Sequence, residues 1–253
     1  MNRRSFLRNA ALPLATQVAP AGQSPPKRLL ITSGASRVAQ AIAAILKDKY
    51  QVRLTERAPV ETEHEFVQCV LSHDRATYLL VRDMDGIVHV AEPLAGDDGS
   101  QQIDYLTRCT FNLLWAAAEE KAPLVVFLST LDVMNGYPAN FTAGENWRPK
   151  PTPEPRVLAK HLGEFTCREF ARESKIGIVV LRLGKVVRTE DVKDQPFDPM
   201  WVDERDVAQA VSGALTSPAG PWSVFHIQAD SPRARFRVTK AKAELGYNPQ
   251  FNW

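Results

Sequence analysis

Beyond residue 27 the chain alternates between two hydrophobic patterns. RLLITSG (28–34) is a short, branched apolar run ending in glycine, the form of a buried strand. RVAQAIAAILKDKY (37–50) instead places apolar residues at 38, 41, 42, 45 and 46, one face of a helix. QVRLTER (51–57), EFVQCVL (65–71), GIVHVAE (86–92), PLVVFLST (123–130), IGIVVLRLG (176–184) and SVFHIQ (223–228) read as further strands. Among them ATYLLVRDM (76–84), IDYLTRCTFNLLWAAAEEK (103–121), LAKHLGEFTCREFARESK (158–175), RDVAQAVSGAL (205–215) and VTKAKAELGYNP (238–249) read as helices, the last stopped by Gly246 and Pro249. Strands alternating with helices of this length form parallel βαβ units, and a sheet covered on both faces explains the nearly unbroken apolar strands. The pattern predicts an α/β fold, a doubly wound parallel sheet. The Asn-, Gly- and Pro-rich stretch 135–156 reads as a loop over the sheet's carboxyl edge, where ligands bind in this architecture.

Length and composition leave this picture unchanged. The 253 residues suit one domain with a sizeable core, and 44% hydrophobic with 24% charged residues is ordinary for a globular chain. No apolar run approaches the roughly 20 residues that span a bilayer. The N-terminus does add something. In MNRRSFLRNAALPLATQVAPAG, basic Arg3, Arg4 and Arg8 precede a weakly apolar stretch from Asn9 to Val18 and a small-x-small site at Ala19-Pro20-Ala21. That order reads as an export signal, and the paired arginines followed by Phe6-Leu7 resemble a twin-arginine signal. Residues 1–26 are therefore expected to be signal and linker, with Pro25-Pro26 extending the chain, and 27–253 the domain. The expected location is extracytoplasmic, or cytoplasmic if the segment is an uncleaved basic N-terminus. Cleavage after Ala21 would leave 28 basic against 29 acidic residues, so the basic excess belongs to the signal and does not point to nucleic acid. Three cysteines, Cys69, Cys109 and Cys167, without CxxC spacing, read as buried thiols and give neither a zinc site nor a disulfide framework.

The candidate chemistry begins at ITSGASRVAQAIA (31–43). From here the chain resembles the short-chain dehydrogenase/reductase superfamily, in particular its extended NAD-dependent epimerase/dehydratase branch. The resemblance implies a Rossmann-like sheet with a small, reduced C-terminal substrate lobe, about 185–253, and NAD or NADP as cofactor. Where that branch carries GxxGxxG, this chain has Ser33, Ser36 and Ala39, with Gly34 beside the first. The glycines normally serve a tight turn, close approach to the pyrophosphate and close helix packing. With Ser and Ala in place, two readings stay open: Ser33, Gly34, Ser36, Arg37 and Val38 hold a dinucleotide phosphate, Arg37 by a direct contact, or the turn binds nothing. Glu56, ending the second strand, stands where an acid binds the adenosine ribose and favours NAD; the neighbouring Arg57 works against that preference. SHDRATYLLVRDMDGIVHVAE (72–92) resembles the family's acid-helix-Asp-x-VxHxA run, which would bring Asp74 near the adenine and Ala91 to the cofactor, with His89 structural. TFNLLWAA (110–117), MWVDERDVAQAV (200–211) and KAKAELGYNP (240–249) match later family segments in order, Asn112 being read as structural.

The catalytic pieces match only in part. In this family a Ser or Thr holds the substrate oxygen, a Tyr moves the proton, and a Lys four residues later lowers the phenol's pKa and binds the nicotinamide ribose. VFLSTLDVMNG (126–136) resembles SSxxVYG and puts Thr130 at the hydroxyl position, with Met134 at that motif's own tyrosine. LAKHLGE resembles SKxxGE and puts Lys160 at the lysine position. The tyrosine position is then Arg156, and no tyrosine lies between 142 and 246 to restore it. An arginine stays protonated and cannot cycle as an acid/base, although beside Lys160 it adds a second cation that suits an anion. Only 16 residues separate Gly184 from Trp201, too few for a large sugar-nucleotide lobe, so a small molecule is the expected ligand. Two functions follow: an NAD(P)-dependent oxidoreductase or epimerase-like enzyme acting on a small or sugar-like substrate, with atypical or lost acid/base chemistry, or a non-catalytic binding protein for a dinucleotide or other anion. The family often dimerises through its long central helices, here 103–121 and 158–175.

Overall fold

The computed structural model describes residues 27–173, 176–217 and 220–252; the expected signal and linker at 1–26 lie outside them. Chain order runs β1 (Lys27–Ile31), α1 (Arg37–Leu46), β2 (Tyr50–Glu56), β3 (Glu65–Gln68), α2 (Arg75–Val81), β4 (Gly86–His89), α3 (Gly99–Asp104), α4 (Thr110–Glu119) and β5 (Leu124–Thr130). Then follow α5 (Pro155–Arg172), β6 (Gly177–Leu183), β7 (Lys185–Val187), α6 (Thr189–Val192), β8 (Trp201–Asp203), α7 (Glu204–Thr216), β9 (Trp222–Ile227) and α8 (Thr239–Leu245). Seven of the strands form one parallel sheet in the order β3-β2-β1-β4-β5-β6-β9, the Rossmann-like doubly wound arrangement expected from the pattern. The order reverses between β1 and β4, the place where such sheets open a crevice at their carboxyl edge.

The unbroken apolar strands bury both faces, as side-chain alternation requires. Leu29 and Ile31 of β1 pack with Ile42 of α1 and Val207 and Val211 of α7, while Leu30 turns to the other face with Ile87, Leu113 and Cys167. All three cysteines are free and buried. Among the described residues no helix is long and apolar enough to cross a membrane.

Three differences from the sequence expectation matter for the site. The helix expected over 103–121 begins four residues earlier, because Asp98 caps α3 in a capping box with Gln101. It is also interrupted by a π-helical turn, Tyr105–Cys109, that joins α3 to α4. Such turns take up an extra residue and re-aim the side chains around them; here Tyr105 is buried with its hydroxyl bonded to Ser33. The helix expected from 158 begins at Pro155, in the first-turn position that suits proline, with the Glu154 carboxylate accepting from the Arg156 and Val157 N–H groups. Arg156 and Lys160 therefore share one helical face a turn apart. Third, the segment after Gly184, read as a reduced lobe, contains a two-stranded parallel ribbon, β7 beside β8.

Candidate active site

A cavity of about 820 Å³ opens at the carboxyl edge of the sheet. The turn after β1 (Ala35, Ser36), the start of α1 (Arg37, Val38) and Glu56 of β2 form one end. Thr130 of β5 and Arg156 and Lys160 of α5 form the other, and β7 adds to the wall.

At the first end the residues standing at the family's glycine positions make contacts of their own. Ser33 takes the left-handed backbone at φ 55°, where the family's first glycine would cost nothing. Its side chain compensates, sharing a hydrogen bond with Tyr105 Oη at 3.0 Å and accepting from the Glu92 N–H at 3.0 Å. Close packing falls to Gly34: a Cβ there would meet Thr55 O at 3.3 Å and Leu54 Cβ at 3.4 Å, against the edge of β2. Ser36 caps α1, its hydroxyl accepting from the Ala39 N–H at 3.2 Å. The next N–H groups belong to the first turn of a ten-residue helix, which a phosphate can engage. The Glu56 carboxylate is buried and accepts from the Arg57 N–H at 2.7 Å and, weakly, from the Ala35 N–H at 3.5 Å. Burial raises its pKa, against the N–H groups and Arg57 that lower it. Arg37 lines the cavity but is engaged by Asp191 at 2.9 Å and Glu204 at 3.5 Å. Of the predicted nucleotide contacts, Ser36, Arg37, Val38, Glu56 and Lys160 line the cavity, whereas Ser33 and Gly34 do not. Asp74 stands apart, capping α2 by accepting from the Thr77 N–H at 3.1 Å. Ala91 is fully buried at φ 53° between the lining residues Val90 and Glu92.

At the second end Lys160 is 3% exposed, and its Nζ donates to Val90 O at 3.0 Å and Leu128 O at 2.6 Å, bridging the ends of β4 and β5. Burial drives its pKa down from 10.5 to about 7; Glu92 and Glu164 pull it upward and Arg156 pushes it further down. Arg156, at the position where a tyrosine was expected, donates from one guanidinium nitrogen to both Glu92 oxygens, at 2.9 and 3.0 Å. Thr130 does reach the cavity, but its hydroxyl is already in use: it donates to Asp132 Oδ2 and accepts from the Asp132 N–H, both at 3.1 Å, capping the 3-10 turn Leu131–Met134. The neighbouring Ser129 Oγ also belongs to the lining and is buried without a partner. His89 is held between Thr32 Oγ1 at 2.8 Å and Thr110 Oγ1 at 2.9 Å, so both ring nitrogens are spent, and burial lowers its pKa to about 3. Asn112 donates to Leu71 O at 2.9 Å, away from the cavity.

The chain has relatives among known proteins. The sequence profile of the NAD dependent epimerase/dehydratase family matches residues 30–196. The chain belongs to that family. Among characterised relatives, it is 26% identical to the NAD-dependent glucose-6-phosphate dehydrogenase of Haloferax volcanii, over 88% of this chain and 93% of that one. Among solved structures, a mutated uronate dehydrogenase is 25% identical, with a TM-score of 0.75 over 89% of this chain and 82% of that one. A uronate dehydrogenase variant from Agrobacterium tumefaciens complexed with NAD has a TM-score of 0.78 at 22% identity, over 90% of this chain and 86% of that one, a likeness of fold.

For a member of this family the residues present fit a dinucleotide. The cavity lies in the size range of small-molecule sites, a capped helix N-terminus faces it, and a buried carboxylate closes one end and a buried amine the other. When bound, NAD supplies a hydride acceptor. The chain would hold it through the α1 N-terminus and Glu56, with Lys160 at the far end of the cavity. Sequence reading missed Glu92, Ser129 and Asp132 in the lining. Ser129 had a signal, since SSxxVYG carries a second hydroxyl beside the one matched to Thr130. Glu92 had none, because its role depends on Arg156 reaching it across 64 residues of sequence.

Proposed function

We propose that this chain is an NAD-dependent oxidoreductase that acts on a small sugar, with acid/base chemistry that does without the family's tyrosine. The observation that carries this reading is one cavity joining Ser36 and Glu56 to Thr130 and Lys160. Family membership and the names of its relatives, which act on glucose 6-phosphate and uronates, support a sugar as substrate. The short β7–β8 strap, in place of a large lobe, supports a small one. Preference for NAD over NADP rests on Glu56, whose carboxylate disfavours a 2′-phosphate, and on Arg57, which is not free to bind one. Arg57 is paired with Asp97 and lies 4.6 Å over the Tyr105 ring.

The test is calorimetric titration with NAD+ and NADP+, followed by the absorbance of reduced nicotinamide with D-glucuronate or D-glucose 6-phosphate. Heat of binding with NAD+ and turnover with either sugar is expected; neither heat nor turnover contradicts the reading. A second reading, a binding protein that no longer turns over, is favoured by the Arg156–Glu92 ion pair standing where the tyrosine should be. It predicts NAD+ binding with no turnover until Arg156→Tyr is made.

Two further proposals concern the protein's setting. Exposed Phe111 on α4 and exposed Leu162 and Phe165 on α5 support a homodimer through these helices, which sedimentation would detect as twice the monomer mass. The Arg3-Arg4 motif supports export by the twin-arginine route with the cofactor already bound, since free dinucleotide is scarce outside the cytoplasm. Dinucleotide released on denaturing the purified protein, and a mature N-terminus beyond Ala21, are the expected results.

A further inference from the structure

The surroundings of Lys160 accommodate a neutral amine. An ammonium has three N–H donors; a neutral amine has two, and a lone pair at the remaining corner. Lys160 Nζ meets two acceptors, the Val90 and Leu128 carbonyls, at 3.0 and 2.6 Å, and no ion pair of Lys160 occurs among the described residues. The carbonyls take up the two donors of a neutral amine on a residue that lines the cavity, and the Phe127 ring centroid lies 5.7 Å from Nζ. The charged groups around it come from every neighbouring element. On α5 these are Arg156 and Glu164, at the end of β4 His89 and Glu92, and after β5 Asp132, with neutral Ser129 and Thr130 between. His89 is neutral, Glu92 is held by Arg156, and Asp132 accepts from Thr130 and Asn135, so none of these offers a freer proton acceptor at the cavity wall. Arg156 cannot accept a proton at all.

We propose that Lys160 is itself the proton acceptor of the reaction, in the role that a tyrosine fills elsewhere in the family. This rests on the oxidoreductase reading above. The substrate O–H bond breaks and its proton forms an N–H bond on the amine. The carbinol C–H bond breaks at the same centre, its electron pair leaving with hydrogen to the oxidised nicotinamide, and a C=O bond forms. The substrate carbon is oxidised, the nicotinamide is reduced, and the resulting ammonium returns its proton to solvent. Burial, which holds the amine near neutral pH, makes it a base matched to that task.

Two measurements test the proposal. Lysine Cε resonances of the apo protein, with Lys160 assigned by its loss in Lys160→Met, are titrated in the wild type, Arg156→Gln and Glu92→Gln. The expected midpoint lies near 7, rising in Arg156→Gln and falling in Glu92→Gln. Initial rates with NAD+ and D-glucuronate or D-glucose 6-phosphate are expected to follow the same midpoints. Lys160→Met should lose at least about 100-fold in rate while NAD+ affinity, read by calorimetry, changes less than about threefold. A midpoint above about 9 in the apo protein, or rates that ignore the shifts in the two charge variants, overturns the proposal even if NAD+ binds and turnover occurs. Loss of NAD+ affinity in step with rate in Lys160→Met overturns it in favour of a cofactor-holding role. Absence of NAD+ binding by the wild type is the distinct result that removes the oxidoreductase reading itself.

Discussion

Replacing Lys160 with methionine should change how stability depends on pH. The amine is fully buried, with a pKa of about 7 in the folded chain against 10.5 for an ordinary lysine. Below pH 7 both folded and unfolded chains carry the proton, and the cost of burying the charge is fully present. Between the two values the unfolded chain holds a proton that the folded chain has given up, so stability rises with pH by about 1.4 kcal/mol per unit from this one group. Across the whole window that amounts to roughly 5 kcal/mol, and up to pH ~9 to about 2–3 kcal/mol. Methionine has similar length and no titration. It leaves the Val90 and Leu128 carbonyls without their donor, a loss of roughly 1–3 kcal/mol per group that does not vary with pH. Urea unfolding of both chains from pH ~6 to ~9 separates offset from slope. Burial also raises the pKa of Cys109, Cys167 and Tyr247, but both chains share these groups and they cancel in the difference. The expected result is a wild-type advantage that is flat below pH 7 and grows above it. A difference that stays constant over the range means Lys160 keeps its proton throughout, and refutes the reasoning.

Other substitutions test other parts of the account. Glu164→Gln leaves the buried Arg182 guanidinium without the carboxylate it binds through two nitrogens, at 2.9 and 2.8 Å, and should lower unfolding free energy by about 3–5 kcal/mol in urea. Gly163→Ala introduces a Cβ 2.8 Å from the Phe127 ring and 3.1 Å from Leu106 O; pushing α5 off the sheet should cost roughly 1–3 kcal/mol in the same assay. Arg156→Tyr breaks the pair with Glu92 and sets a phenol one turn before Lys160, so initial rates at neutral pH should rise by about 100-fold. Glu56→Leu removes the carboxylate at the adenosine end and should weaken NAD+ binding about tenfold by calorimetry, narrowing the gap to NADP+.

The sheet and its covering helices were legible because their hydrophobic periods differ and recur over long segments. Each of the seven sheet strands falls on a predicted apolar run. Of the β7–β8 ribbon, β8 was legible only through the family's strand-then-helix segment at 200–211, and β7 was not, since three residues are too few to set a period. The π-helical turn at Tyr105–Cys109 leaves the apolar spacing nearly unchanged, and the Tyr105–Ser33 bond made from it joins residues 72 apart. Within the site, spacing alone put Arg156 a turn before Lys160. What Arg156 does depended on Glu92, and what Lys160 does depended on two backbone carbonyls, groups that every residue carries and no motif marks. Thr130 shows the converse: it stands at the predicted position, but Asp132 two residues later already holds its hydroxyl. The glycine motif read as degraded, and how its turn is built, with Ser33 bonded at a positive φ and Gly34 packed on β2, was not legible from it.

Hydride transfer is the claim on which the rest depends, and label transfer tests it most directly. Wild-type protein is incubated with NAD+ and uniformly deuterated D-glucuronate or D-glucose 6-phosphate, and the nicotinamide is read by mass spectrometry. The account predicts deuterium in the reduced nicotinamide with at least one of the sugars, formed faster above neutral pH than below it. NAD+ that binds and stays unlabelled with both, at every pH, would contradict it.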